Sequence, residues 1–155
     1  MTSDSIYFEV RGIPKAQPRA KAYRRGKHAG VYNPGTADSW KSMLVLQARA
    51  YRPEVPFDGP LCVSIDFLMP RPKSLMRKSD PDGEIWHTAK PDRDNLEKAA
   101  LDALTQDGWW RDDSQVCEGS IRKLYHSKAG VPGARVRIFR LSVQSRSGRL
   151  VQERA

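Results

Sequence analysis

Cysteine is scarce in this sequence: Cys62 and Cys117 are the only two among 155 residues. Neither belongs to a Cys-x-x-Cys pair or to a Cys/His pattern at metal-ligand spacing, so a thiolate zinc site is not supported. Both fall in apolar, strand-like runs, and the expectation is two reduced, buried thiols in a cytoplasmic protein. No run is long and apolar enough to span a membrane. The opening Met1-Thr2-Ser3-Asp4-Ser5 lacks a basic stretch followed by an apolar one, so no signal peptide is expected. There is no internal repeat and no low-complexity block. Negative charge is also in short supply: 18 acids against 27 lysines and arginines leave a net charge of +9. That excess favours a polyanionic partner, and nucleic acid is the commonest one.

What is present suits one globular domain over residues 1–145, with 39% apolar content and a polar tail over 146–155. Ile6, Phe8 and Val10 alternate with Tyr7, Glu9 and Arg11, the pattern of a half-buried strand. Residues 13–28 then carry Lys15, Arg19, Lys21, Arg24, Arg25 and Lys27 around Tyr23, with two prolines and no apolar period. They read as a loop, for which there are two readings: a plain solvated segment, or, preferred beside the acids described below, a basic arm that tracks phosphates with Tyr23 able to stack on a base. Thr36 or Asp38 can cap a helix running to about Arg52, with Trp40, Met43, Leu44, Ala48 and Tyr51 on one face. Residues 61–69 are the clearest strand, and Asp66 in its middle is either a surface residue or a neighbour of the acids described next. A helix is expected from Asp94 to about 106, burying Leu96, Ala99, Ala100, Ala103 and Leu104 and ending at Gly108. A strand from Ser114 to about Tyr125 follows. A last strand holds Val136, Ile138, Leu141 and Val143, with a bulge near Phe139. The order β-α-β-α-β-β predicts an α+β, two-layer fold: one mixed sheet of about four strands with two helices packed on it.

Against the general deficit of acids, one stretch concentrates them. Lys90-Pro91-Asp92-Arg93-Asp94-Asn95-Leu96-Glu97-Lys98 is answered, nineteen residues after Asp94, by Asp112-Asp113-Ser114-Gln115. If residues 90–94 are extended, Asp92 and Asp94 project to the same side. Asp94 then lies at the positive end of the helix dipole, with Lys98 one turn on. Asp113 enters from the start of the next strand, so three carboxylates could meet at one point. Hard divalent cations take such oxygen ligands. Each acid also has a plainer reading: Asp94 with Glu97 as a helix capping pair, Asp92 in an Asx-turn, Asp112 and Asp113 in an ordinary turn, Lys98 as a solvated lysine. The coincidence of three acids beside a basic arm favours an enzyme that acts on nucleic acid.

Asp92-Arg93-Asp94-Asn95-Leu96-x-Lys98, then Asp102-Ala103-Leu104, then Trp110-x-Asp112-Asp113-Ser114-Gln115-Val116 resembles the signature of the RusA family of Holliday junction resolvases. The resemblance is close over about residues 90–125 and looser outside. It implies a homodimeric, Mg²⁺-dependent endodeoxyribonuclease of phage or prophage origin, with Mn²⁺ as a substitute ion. It would cut four-way DNA junctions by paired symmetric nicks. The family's essential aspartates fall on Asp92, Asp94 and Asp113 and its important lysine on Lys98. Asn95, Asp112 and Gln115 are expected to support the ligands, and Lys90 joins the basic arm as a DNA contact. Two readings stand beside this one: a broader branched-DNA or flap nuclease, and a non-catalytic basic dimeric DNA-binding module whose acids are only caps.

Overall fold

The computed structural model describes residues 5–142. Val143 and the polar tail lie outside the described residues. Three long strands, running from the β1 edge inward, each bury alternate side chains on one face of the sheet. Strand β1 (Ser5–Arg11) buries Phe8 and Val10. It pairs antiparallel with β8 (Gly133–Arg140), which buries Ala134, Val136 and Ile138. β8 pairs antiparallel with β4 (Leu61–Met69), whose Leu61, Val63, Ile65, Phe67 and Met69 complete that face. The other edge of β4 is shared in series by two parallel strands, β6 (Val116–Glu118) and β7 (Ile121–Tyr125). The two-residue β5 (Ile85–Trp86) pairs antiparallel with β7 and ends the sheet.

Two helices cover the apolar face. α1 (Asp38–Ala48) buries Trp40, Leu44 and Ala48, one residue per turn. α2 (Arg93–Gln106) buries Leu96, Ala99, Ala100, Ala103 and Leu104, the face that its 3.6-residue period marks out. Gly108 ends it at φ +82°, a left-handed conformation that glycine adopts without a Cβ penalty. Gly108 N–H donates to Thr105 O (3.1 Å) and Trp109 N–H to Leu104 O (3.1 Å), the paired bonds of a Schellman cap. Trp109 and Trp110 then turn into the core, both essentially fully buried, and Trp110 Nε1 donates to Thr105 Oγ1 at 2.7 Å.

The α+β architecture is the expected one, with a richer sheet of six strands and a separate hairpin. The loop expected over residues 13–28 extends only to Ala20; beyond it β2 (Lys21–Arg25) and β3 (His28–Tyr32) pair antiparallel. Both faces of this hairpin are open to solvent, so no apolar alternation marks it. Neither Thr36 nor Asp38 caps α1; its N-cap is Ala37, without a side-chain bond. Met43 and Tyr51 lie on the edge of the α1 stripe and stay largely exposed, although Tyr51 stacks on Phe8 with ring centroids 5.6 Å apart. The single strand expected over 114–125 is a 3₁₀ turn (Asp113–Gln115) followed by β6 and β7, broken at Gly119-Ser120. Phe139 holds regular register with both neighbours, and the irregularity falls between Leu61 and Cys62 instead. Cys62 is buried as expected, whereas Cys117 is exposed.

The sheet face turned away from the helices carries charge. Asp66 accepts from Arg122 Nε (2.6 Å) and Nη2 (2.5 Å) and pairs with Arg135 at 3.2 Å. Arg135 in turn holds Glu84 through two 2.8 Å bonds. Asp66 is thus a structural ion-pair residue on the face opposite α2. The Arg122 hydrogen bonds, ahead of the nearby Arg135 charge, hold its carboxyl below the usual carboxylate range. Its side chain is 17% exposed, so the network should contribute ~1–2 kcal/mol, between a surface pair and a fully buried one. A depressed carboxylate pKa stabilises the fold above the unfolded value and loses that effect as pH falls through the folded value. Asp66→Asn should therefore lower unfolding free energy at pH 7 by ~1–2 kcal/mol, with the gap to wild type closing below about pH 4. A gap that stays constant down to pH 2 in denaturant titrations would rule out the ionised pair as its source.

Candidate active site

The α2 N-terminus is built from two directions. From the sheet, Lys123 on β7 sends its Nζ to Ala89 O (2.8 Å) and Pro91 O (2.7 Å), fixing the chain just before the helix. From the basic arm, Gln17 N–H donates to Asn95 O at 2.9 Å. Asp92 occupies the N-cap position, with extended backbone (φ −73°, ψ 147°), yet its side chain makes no cap bond. Its carboxylate meets Lys90 Nζ at 3.1 Å, and that lysine is almost wholly exposed. Asp94 is in the first turn and exposed, so residues 90–94 are not one extended segment. No capping pair forms between Asp94 and Glu97. The plain helix-cap reading of these acids is therefore not what the chain adopts. Lys98 is exposed one turn further along α2.

A cavity of about 870 Å³ adjoins Asp92 and Asn95. Lys15, Arg19 and Lys90 give it positive charge, and Pro72, Met69 and Tyr125 are among its apolar walls. His87 also lines it, nearly buried and edge-on to Tyr125 with ring centroids 4.6 Å apart. Burial, with the Lys123 charge second, pushes the His87 pKa below its ordinary value, so the ring is neutral at pH 7. Of the expected DNA contacts, Lys15, Arg19 and Lys90 surround the head of α2, while Lys21, Tyr23, Arg24, Arg25 and Lys27 lie on the hairpin or its turn, all exposed.

Asp113 is elsewhere. Its 3₁₀ turn is fastened to the chain ahead of β4 by Gln115, whose Oε1 accepts from Arg111 N (2.8 Å) and Asp112 N (3.2 Å). Gln115 Nε2 donates to Phe57 O (3.1 Å) and Gly59 O (3.0 Å), so every hydrogen-bonding position of the amide is used. Asp112 accepts from Ser114 N (2.8 Å) and completes a capping box with Gln115. The Ser114 bonds hold the Asp112 carboxyl below its usual range. Asp112 and Gln115 thus shape the turn that presents Asp113 and do not reach Asp92 or Asp94.

This turn belongs to the far end of α2. Asp107, at the helix C-cap, pairs with Arg49 and Arg52 at the end of α1, and Phe57 N–H donates to Trp109 O at 2.8 Å. Val116 sits opposite Leu61 at the start of β4, whereas Lys123, beneath Asp92, sits opposite Phe67. A 14-residue helix rises ~20 Å, and six residues of strand cover about the same distance. The expectation that three acids meet within one chain is therefore not met. Among the described residues no group of three or more His, Cys, Asp or Glu side chains is gathered closely enough to hold a metal ion. What the head of α2 does offer is two hard carboxylates with no capping role, a donor set that suits Mg²⁺, which commonly takes one or two carboxylates and completes its shell with water and phosphate.

Sequence reasoning missed Lys123 and His87, both beside this site. A lysine in the middle of a strand and a histidine just past the end of another carry no local signal of what lies next to them.

Residues 11–138 match the family described as Endodeoxyribonuclease RusA. An uncharacterised protein, YqaN, from Bacillus subtilis (strain 168) is 32% identical over 133 residues, covering 83% of this chain and 93% of the relative. Crossover junction endodeoxyribonuclease RusA from Escherichia coli (strain K12) is 51% identical over 39 residues, 25% of this chain and 32% of that protein. The same-named protein of Enterobacteria phage 82 is 49% identical over a stretch of equal length.

Replacing Lys123 by Met keeps the aliphatic stem and removes both bonds to the loop before α2. Two carbonyls losing a charged donor should cost about 1–3 kcal/mol. Amide exchange at Leu96, whose N–H closes the first turn on Asp92 O at 3.2 Å, should quicken more than exchange in β4. Lys123→Arg should restore part of the protection. Uniform quickening throughout the core would argue against a local clamp.

Proposed function

The chain belongs to the RusA endodeoxyribonuclease family, and from that footing we propose that it is a Mg²⁺-dependent enzyme resolving four-way DNA junctions by paired symmetric nicks. The observation that carries this reading is the head of α2, where Asp92 and Asp94 stand in a strongly basic setting without serving as caps. Asp92 and Asp94 would hold Mg²⁺, with Mn²⁺ as a substitute. When bound, the ion lowers the pKa of a water and neutralises charge on the phosphate under attack. Lys98, one turn beyond Asp94, would place a further cation against the phosphoryl oxygens. Lys15, Arg19 and Lys90 would bind flanking phosphates, and the hairpin's Lys21, Arg24, Arg25 and Lys27 would extend that track. Lys123 would keep Asp92 in place without touching DNA.

The third acid requires a second copy. With Asp113 roughly a helix length away (~20 Å), one chain cannot bring it to its own Asp92 and Asp94. A two-fold dimer that sets the α2 head of one protomer beside the Asp113 turn of its partner would complete two sites at once. Two symmetry-related sites match a substrate that needs two symmetric cuts. The unpaired cysteines suit a cytoplasmic setting. Among the described residues no helix is long and apolar enough to cross a membrane.

The test is cleavage of a labelled, mobile four-way junction with Mg²⁺, beside a flap and a plain duplex. Asp92→Asn and Asp113→Asn should each lose on the order of 10²–10³-fold in rate while still binding the junction. Mixing the two inactive variants should restore nicking of one strand, because one site of each mixed dimer keeps all its acids. Equal rates on flap and junction would replace the resolvase by a broader branched-DNA nuclease. Wild-type binding without any cut would leave a DNA-binding module. Inactive mixtures would mean that each site is built from one chain.

A further inference from the structure

The β2–β3 hairpin has a feature that a basic arm does not need. Residues directly opposite one another in an antiparallel pair share a face. Lys21 faces Tyr32, Tyr23 faces Gly30 and Arg25 faces His28, so these six residues form one surface and the opposite face holds Ala22, Arg24, Ala29 and Val31. The first face interleaves two tyrosines with basic side chains. Tyr23 and Tyr32 are each about half exposed, with ring centroids 6.1 Å apart and planes inclined at 64°. The Tyr23 ring lies over Gly30, where an added Cβ would come within 2.8 Å of its Cε1 and hydroxyl oxygen. The absent side chain at position 30 is therefore what lets the ring lie down on the hairpin. Gly26 at φ +62° closes the two-residue turn with Lys27, a primed hairpin turn.

The hairpin shares no sheet with the body, and two strands alone are marginally stable in water. Two exposed aromatic rings contribute nothing to a core there. Rings alternating with cations are the chemistry that binds unstacked nucleotides: bases on the rings, phosphates on the charges. The hairpin also starts in the right place. Gln17, bonded to Asn95 in the first turn of α2, is six residues from Tyr23, a reach of at most ~20 Å.

Building on the nuclease reading above, we propose that this face of the hairpin is a stacking platform for unpaired DNA bases at the branch point, next to the strand to be cut. Tyr23 and Tyr32 take the bases, Lys21 and Arg25 take the phosphates, and Gly30 sets the attitude of Tyr23. The protein would then recognise a junction by its exposed bases as well as by its charge.

The experiment uses the full chain in EDTA, so that no cutting occurs, and four-way junctions carrying 2-aminopurine at each position flanking the branch point. Wild-type binding should change the fluorescence at one or two of those positions. Tyr23→Ala and Tyr32→Ala should abolish the change and weaken binding to the junction and to oligo(dT) tenfold or more, with duplex binding little altered. Gly30→Ala, whose backbone is not in a glycine-only conformation, should fold normally and lose the signal at the base under Tyr23. Unchanged fluorescence and affinity in all three variants, with Arg25→Ala still weakening binding, would overturn the platform and leave a phosphate-tracking arm. Dissociation of a wild-type dimer into monomers by the tyrosine variants would overturn it in favour of a contact between copies. Adding Mg²⁺ to the wild type tests the parent reading separately: cutting with no response from the tyrosine variants defeats only the platform, and a base signal without cutting defeats only the nuclease.

Discussion

Helix α2 is fixed at both ends, and its fixed length governs everything that Asp92, Asp94 and Asp113 can do for the molecule. At its head, Lys123 and Gln17 fasten the entering chain and the first turn. At its foot, the Schellman bonds at Gly108 and the Arg49 and Arg52 pairs with Asp107 stop it against α1. Five apolar residues hold the body of the helix on the sheet. A helix pinned in this way cannot bend to bring its ends together, so the Asp92–Asp94 pair and Asp113 remain apart. Their nearness in sequence reflects a short connection through the helix, and a functional site containing all three has to be assembled from outside one chain.

That separation explains what the sequence could and could not disclose. The α2 face, the alternation in β1, β4 and β8, and the glycine stop at 108 were all legible, because each has one buried side and burial imposes a period. The β2–β3 hairpin was illegible for the converse reason: with both faces wet, nothing selects apolar residues at alternate positions. β6 and β7 looked like one strand because their interruption is a matter of register against β4. The candidate site was legible as residue types and only partly as geometry. Extended residues 90–94 would have aligned Asp92 with Asp94, but the helix starts at Arg93. Asp112 and Gln115 read equally well as ligand supports and as turn formers. The turn prevails, since the Gln115 amide spends all its hydrogen bonds on backbone groups.

Charge is distributed in a way that separates stability from function. On the outer face of the sheet, Arg122 and Arg135 are matched to acids, Asp66 with both and Glu84 with Arg135, while Arg137 lies over the Tyr7 ring. Around the head of α2 and on the hairpin the cations are mostly unmatched. There Lys90–Asp92 is an ion pair that an exposed lysine can leave at little cost, since surface pairs are worth ~0–1 kcal/mol. A phosphate or a metal ion entering the site therefore displaces a weak interaction. Asp92 is kept from the one role, N-cap acceptor, that would have tied it to the helix.

The same economy applies to the hairpin. A solvated β-ribbon gains little from tyrosines, and a glycine within a strand weakens it. Tyr23, Gly30 and Tyr32 together make sense as a surface whose partner supplies the missing burial. Joined to the first turn of α2 by the short chain from Gln17, such a surface would couple recognition of an opened branch to the acids that act on it. The body of the protein would then need to provide only a rigid distance between the two halves of each site, which a pinned helix on a six-stranded sheet does.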